Sequence, residues 1–511
     1  MGWQKRPVQP SANAPMSTEI LKQSYEDAPY DSRPIPMSHI DRLAVLGRLH
    51  GLTPAPIDKA RVLEVGCSGG GNLLPMACDL KGSEFLGIDI SPRQIADAQA
   101  AADDLGLCNI AFRTGDIMAP GDIGDFDYIV AHGVFSWVPP QVQDGLLRLC
   151  RDRLRPGGVA YISFNTYPGW HLREAVRGLM LHHAGRFADP ATKATQARAI
   201  LHALAGTYQA GDPAVSALLQ RETQNIDALS DAFLLHDLME TENHPVYFRD
   251  FAARADAAGL HYLSEANVGA SYGLNFPDDV QQILATARDR VDREQYIDFW
   301  LHRSFRETLL CRADAAPSAE PQAAALTDLW VESTLRPLPG PAVIPPEAEL
   351  RFRNPEGARV GVAEAPHKTA LLKLADEPLG TLPCADLLDG DGEDVATLLL
   401  ELFGRNLVGL STRAPAFVAE AGDRPTASPL VRMQIRDGQA VTNQRHRSVS
   451  IDDALTAEVL RHLDGAQDRA ALLAMLERRR VTGLIGLASD QLPAALDSAL
   501  GQLAANALLI A

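Results

Sequence analysis

Val62-Leu63-Glu64-Val65-Gly66-Cys67-Ser68-Gly69-Gly70-Gly71-Asn72 is a short apolar strand running straight into a glycine-rich turn. The helix-forming stretch NLLPMACDL follows, so the turn joins a strand to a helix. Glycines at such a junction let the backbone approach a ligand closely and take positive φ where the turn is tight. Dinucleotide enzymes and P-loop proteins share this kind of turn, and a tight turn with no ligand looks the same. No Lys-Ser or Lys-Thr pair follows the glycines, which excludes a P-loop.

The alternation continues outward from this motif. EFLGIDI (84–90) reads as a second strand, and PRQIADAQAAADDLG as the next helix, with Ser91 as its N-cap. IAFRTGD (110–116), FDYIVAHGV (126–134) and VAYISFN (159–165) read as three further strands, with the helix QVQDGLLRLCRDRL before the last. An amphipathic helix over 38–52, ending at Gly51, precedes the first strand. Strands alternating with helices in short units predict a parallel, doubly wound α/β sheet. From about 171 to 312 the pattern is almost entirely helical, and ADAAPSAEPQAAA (313–325) has linker composition. Beyond it, short strands, a hairpin turn at Asn354-Pro355-Glu356-Gly357 and three helices suit a winged-helix module.

Bulk composition narrows the function classes. A chain of 511 residues, 46% hydrophobic and 22% charged, has apolar material for several cores. Its formal charge of −18 argues against nucleic-acid binding, which needs a basic face, and permits a basic peptide partner. The most apolar window, VATLLLELFGRNLVGL, contains Glu401 and Arg405 and is too short to span a membrane. The first fifteen residues lack the apolar run of a signal peptide, which sets a cytoplasmic expectation. Six scattered cysteines without a CxxC pair read as thiols in a reducing compartment, and no metal site is expected.

Electrostatics then discriminate between ligands for the glycine turn. Glu64 stands two residues before the first glycine, where a carboxylate repels a pyrophosphate and suits a cation. S-adenosylmethionine (SAM) carries an ammonium and a sulfonium and no phosphate, so it is favoured over NAD. Asp89 ends the second strand, where a carboxylate accepts from both ribose hydroxyls. Asp116, in Gly115-Asp116-Ile117, ends the third, within reach of an adenine amino group. Each aspartate has an alternative role as a helix N-cap.

VLEVGCSGGGN, GIDIS and GDI resemble the motifs of class I SAM-dependent methyltransferases over residues 62–164, with Ser68 where the family has its second glycine. The resemblance implies a Rossmann-like sheet and a cofactor site made by Glu64, Gly66, Ser68, Gly70, Asp89, Ile90, Asp116, Ile117 and His132. SYEDAPYDSRPIPMSHIDRLA, HGVFSWVP, FNTYPGWHLRE, HDLMETENHPVYFRDFA and RSFRETLLC resemble bacterial members with a methyltransferase regulatory domain. VTNQRHRSVSIDD and LRHLDGAQDRAALL resemble that group's C-terminal winged helix. The implied organisation is a flexible tail (1–22), a methyltransferase domain (23–175), a helical regulatory domain (176–312), a linker (313–325) and a winged-helix-like domain (326–511). It also implies that Tyr30, His39 and Arg42 form a lid over SAM, although Arg42 equally reads as part of a solvated helix face.

Asn165-Thr166-Tyr167-Pro168-Gly169-Trp170-His171 follows the fifth strand on the cofactor's edge, so Asn165, Tyr167, Trp170 and His171 are candidate substrate contacts. The same stretch also reads as a turn with an aromatic plug, and His132 equally as a structural histidine. No general base stands out. Rickettsial protein-lysine methyltransferases are in the resembled group, which implies a lysine on a protein or peptide as acceptor. A small-molecule acceptor and a SAM-binding regulator acting through the winged helix are the alternatives. The acidic helix GEDVATLLLELFGRN makes a poor DNA-recognition element and favours protein contact.

Overall fold

The computed structural model describes residues 32–208, 212–240, 242–271, 276–339, 348–388, 392–438 and 440–510. The expected tail over 1–22 lies outside them. The chain divides into two compact units. One takes Ser136–Gln143 and His171–His244; the other takes Ser32–Phe135, Asp144–Trp170 and the chain from Pro245 onward.

The larger unit is built on a sheet. In chain order come α1 (Ile40–Leu49), β1 (Arg61–Val65), α2 (Leu73–Asp79), β2 (Glu84–Asp89), α3 (Pro92–Asp104), β3 (Ile110–Thr114), β4 (Phe126–Ala131), α4 (Pro140–Arg153) and β5 (Leu154–Asn165). β1 pairs in parallel with β2 and β4, β3 adds to β2, and β5 adds to β4. All six residues of β4 are buried, the signature of a strand covered on both faces. Ser91 caps α3 by accepting from the Gln94 N–H, as its sequence position predicts.

The smaller unit is helical. It holds most of α5 (Gly169–Ala184), together with α6 (Pro190–Thr207), α7 (Pro213–Asp227) and α8 (Asp231–Leu238). Asp189, Asp212 and Ser230 cap the last three, and Leu201, Leu219, Ile226 and Leu234 are buried among them.

Beyond it the structure corrects the expectation of helices up to 312. After α9 (Phe248–Ala257) comes β6 (Leu260–Glu265). α10 (Asp278–Leu284) and α11 (Arg290–Leu301) then lead to β7 (Phe305–Arg312). Both strands join the sheet, which has seven members in the order β3-β2-β1-β4-β5-β7-β6. β7 runs antiparallel to β5 and β6, so the sheet is mixed and not wholly parallel. SFRETLLC hides a strand because both its faces are covered and no alternation shows.

The supposed linker is also a fixed element. The Ser318 and Gln322 N–H groups donate to the carbonyls of His50 (2.8 Å) and Leu49 (2.7 Å), and Leu326 is fully buried. A helix leaves its last carbonyls without internal partners, and this segment satisfies those of α1.

β8 (Trp330–Glu332), β9 (Arg336–Pro337), β10 (Leu350–Arg353), β11 (Arg359–Val362), α12 (Ala365–Asp376), β12 (Thr381–Pro383), α13 (Gly392–Gly404) and β13 (Gly409–Ser411) follow. Their apolar residues merge with the core on one face of the large sheet. The hairpin turn expected at Asn354 closes β10 onto β11, with Gly357 at φ +91° and its N–H donating to the Asn354 carbonyl. The last segment has its own core. It comprises β14 (Thr426–Ala427), α14 (Pro429–Asp437), β15 (Ala440–Thr442), β16 (Ser448–Ser450), α15 (Ala454–Arg461), α16 (Arg469–Val481), α17 (Leu492–Ala505) and β17 (Leu509–Ile510). Among the described residues no helix is long and apolar enough to cross a membrane.

Candidate active site

The β1–α2 turn has the backbone its glycines predict. Gly66, Ser68 and Gly70 take φ of +73°, +49° and +77°, so Ser68 adopts the left-handed conformation normally left to glycine. A Cβ on Gly66 would stand 2.5 Å from a Val134 methyl, and one on Gly70 2.7 Å from the Phe112 ring. Asp89, at the end of β2, accepts from the Ser68 N–H with one oxygen and the Ser91 N–H with the other, both at 2.9 Å. Burial raises its pKa against these bonds, and each oxygen keeps a lone pair for a ribose hydroxyl. Ser32 crosses over the turn, its Oγ accepting from the Gly71 N–H at 2.7 Å.

Glu64 is 2% exposed and accepts from Asn72 Nδ2 at 2.8 Å through Oε1. Its Oε2 is buried with no hydrogen-bond partner among the described residues, and Ser68 Oγ is likewise. Burial pushes the Glu64 carboxyl up to about 8, opposed by Asn72 and reinforced by Asp89. An orphaned buried oxygen on a carboxyl held high is relieved by a cation, so the residues fit the ammonium and sulfonium of SAM.

Elsewhere on this side the arrangement is looser. Ile90 is half-buried just beyond β2, and Ile117 packs against the core under β4. Asp116 is exposed and forms a turn by accepting from the Met118 N–H at 2.9 Å. His39 caps α1 through its ring. Arg42 donates to the Ala266 carbonyl and stacks on Phe403, which fastens two segments together. Tyr30 lies outside the described residues.

A second set of groups gathers at the ends of β4 and β5 and the start of β7. His132 Nδ1 is 2.8 Å from Tyr161 Oη, and Tyr161 donates to Glu307 Oε1 at 2.9 Å. With the tyrosine proton committed to the carboxylate, His132 must donate from Nδ1, leaving Nε2 as an acceptor. Burial holds the imidazole down to about 4, so it is neutral at pH 7. Phe305 meets the His132 ring edge-on at 5.8 Å.

Next to them, Asn165 is buried, and its carbonyl accepts from the Val246 N–H at 3.1 Å. Tyr167 is half-buried and precedes Pro168 through a cis bond, with its ring 5.3 Å from Tyr247. Tyr247 in turn lies 5.9 Å from Phe299. Trp170 is 2% exposed and offers an acceptor no open surface. His171 is exposed and belongs to the helical unit. The structure therefore brings His132, Asn165 and Tyr167 to one edge and adds Tyr161, Tyr247, Phe305 and Glu307. Three of these lie in stretches quoted above only for their resemblance, HPVYFRDFA and RSFRETLLC, to which no chemistry was attached.

A buried ion cluster flanks two of the new members, Phe305 and Glu307. Arg306 is fully buried, bonded to Glu265 (2.7 Å), Glu294 (3.0 Å) and Asp298 (2.9 Å), and stacked on Phe248. Glu265 also accepts from the Glu307 N–H at 3.2 Å. The cluster clamps α11 onto β6 and β7, one residue from both Phe305 and Glu307.

Three family models match the chain. They are a methyltransferase domain over residues 63–160, a predicted methyltransferase regulatory domain over 230–312, and the PKMT C-terminal winged helix domain over 423–509. The uncharacterized protein RP028 of Rickettsia prowazekii is 32% identical over 241 residues, which are 47% of this chain and 96% of that protein. RP789 of the same organism is 36% identical over 57% of this chain, and the chain spans about half (53%) of its length. The structure of PKMT2 from Rickettsia typhi superposes with a TM-score of 0.85 at 23% identity, covering 94% of this chain and all of that one. The same protein solved in complex with AdoHcy gives 0.84 at 24%, with the same coverage.

Proposed function

This chain belongs to the class I SAM-dependent methyltransferases that carry a methyltransferase regulatory domain, and from that premise we propose that it N-methylates lysine side chains of a protein or peptide. The observation that carries the reading is the His132–Tyr161–Glu307 chain beside Phe305, Tyr167 and Tyr247. SAM supplies an electrophilic methyl group, so the protein's work is alignment, desolvation and management of one proton. A lysine ammonium of pKa about 10.4 costs on the order of 4–5 kcal/mol to neutralise at pH 7. Aromatic walls lower that cost by disfavouring the charged form. His132 Nε2 accepts from the amine and orients its lone pair. Held near 4, His132 serves as a hydrogen-bond acceptor that stays neutral, and its bond to Tyr161, fixed in turn by Glu307, keeps Nε2 as the accepting nitrogen.

Asn165 and Tyr167 line the acceptor's approach, and the buried Trp170 supports their loop from beneath. The relatives' own names, PKMT for both the winged helix and the R. typhi structure, agree with a protein acceptor. The winged helix serves as a contact module and not a DNA reader. Within its Arg478–Arg480 run, Arg479 pairs with Glu458 and Arg480 with Glu477. Labelling of lysate proteins from isotopic SAM should disappear when their lysines are acetylated beforehand. Undiminished labelling, or label found only in small molecules, would reject lysine as the acceptor.

A further inference from the structure

We infer that the tip of the C-terminal wing completes the cofactor cradle, with His446 acting as a positioning residue for Glu64 through Asn72. The inference rests on the reading that Glu64 receives the cationic end of SAM.

The wing is the β15–β16 hairpin, and His446 sits at its tip, 5% exposed and at φ +56°. A non-glycine residue held in that region costs conformational energy and persists only where its surroundings fix it. Here they do so from several sides. Asn443 accepts from the N–H groups of Arg445 and Arg447 and donates to the Asn506 carbonyl, which ties the tip to the end of α17. Arg445 bonds Glu332 and stacks on Phe417 at 4.4 Å. His446 is left pointing at the glycine turn, where its Nε2 is 2.7 Å from Asn72 Oδ1.

The polarity of that bond is determined. The Ile35 N–H, 2.9 Å from Asn72 Oδ1, can only donate, so the amide oxygen faces it. Asn72 Nδ2 then faces Ser38 Oγ (2.9 Å) and Glu64 Oε1 (2.8 Å), and His446 must donate from Nε2. The amide is saturated, with two bonds accepted and two donated. Without His446 it can rotate toward another partner and release Glu64 Oε1. His39, edge-on to His446 at 5.0 Å, packs the other side of the imidazole. Burial keeps the His446 ring neutral, in agreement with a single donated proton.

The test is calorimetric titration of the full chain with SAM and, separately, adenosine, which has no cationic end. His446→Asn tolerates the left-handed backbone but ends about one bond short of Asn72. His446→Gln has the reach to restore the donor. His446→Asn should weaken SAM binding about tenfold and adenosine binding less than twofold, and His446→Gln should recover most of the loss. Arg445→Ala, which loosens the hold on the wing tip without touching Asn72, should shift the ratio of the two affinities in the same direction as His446→Asn, by less. Equal weakening of both ligands by His446→Asn, or unchanged SAM affinity, would reduce His446 to a packing contact and overturn the inference. Failure of the unsubstituted chain to bind SAM would instead locate the fault in the cofactor reading beneath it.

Discussion

Ser68 and Asp89, which join the glycine turn to the end of β2, are 21 residues apart in the chain, whereas Tyr161 and Glu307 at the other end of the same sheet edge are 146 apart. On the β1–β3 side Asp89 is held by backbone N–H groups of adjacent turns, and Glu64 by the side chain of Asn72 eight residues on. The β4–β7 side depends on side chains meeting across the fold and on a buried ion cluster behind them. A site of the first kind is written in consecutive residues; one of the second kind exists only after the sheet closes.

The comparison breaks most visibly at Arg306. Arg306→Met leaves Glu265, Glu294 and Asp298 buried with their main cation gone, a change that costs roughly 3–5 kcal/mol. Chemical denaturation followed by fluorescence should show that loss. A cost below about 1 kcal/mol would mean that the acceptor side does not hang on this cluster.

On the other side, Asp89→Ala should weaken SAM binding by roughly 1.5–3 kcal/mol, since charge-assisted bonds to the ribose and to Ser68 disappear together. Calorimetry reads this directly. Unaltered affinity would remove Asp89 from the cofactor site.

Tyr161→Phe separates the halves. It cuts the link between His132 and Glu307, so turnover should fall about tenfold while the dissociation constant of SAM stays within about twofold. A variant that lost SAM affinity in parallel would show the two sides to be one machine.

The mildest effect is in pH. Glu64 is held up to about 8 in the free protein, and a bound cation lowers its pKa, so binding below pH 8 releases a proton. Between pH 6 and 7, where the ligand's amino group stays charged, SAM affinity should rise with pH by at most about tenfold per unit. Glu64→Gln should flatten the dependence. A flat profile in the unsubstituted chain would show that Glu64 does not meet the cation.

How far the sequence reached follows from the same contrast. Five parallel strands, the Ser91 cap, the Asn354 turn and the glycine cradle were legible because each is a local pattern with a local cause. β6 and β7 were not, since strands buried on both faces show no alternation and helical stretches surround them. Glu307 lay in a quoted motif, yet nothing local marks a glutamate that will face Tyr161 across paired strands. The 313–325 segment misled in another way, because alanine and proline describe composition and not the carbonyls of α1 that it satisfies. Trp170 reads in the sequence both as a substrate contact and as an aromatic plug, and only the fold, which buries it, separates the two.

The bond between the wing tip and Asn72 also has a meaning in the order of synthesis. Chains emerge from the ribosome N-terminus first and fold domain by domain as they come. The glycine turn is translated before β7, and the His132–Tyr161–Glu307 chain has all its side chains once β7 is out. The imidazole that saturates Asn72 arrives 374 residues after it. The glycine turn is thus translated long before it is finished, and a nascent chain lacks this cradle contact until the wing has been made.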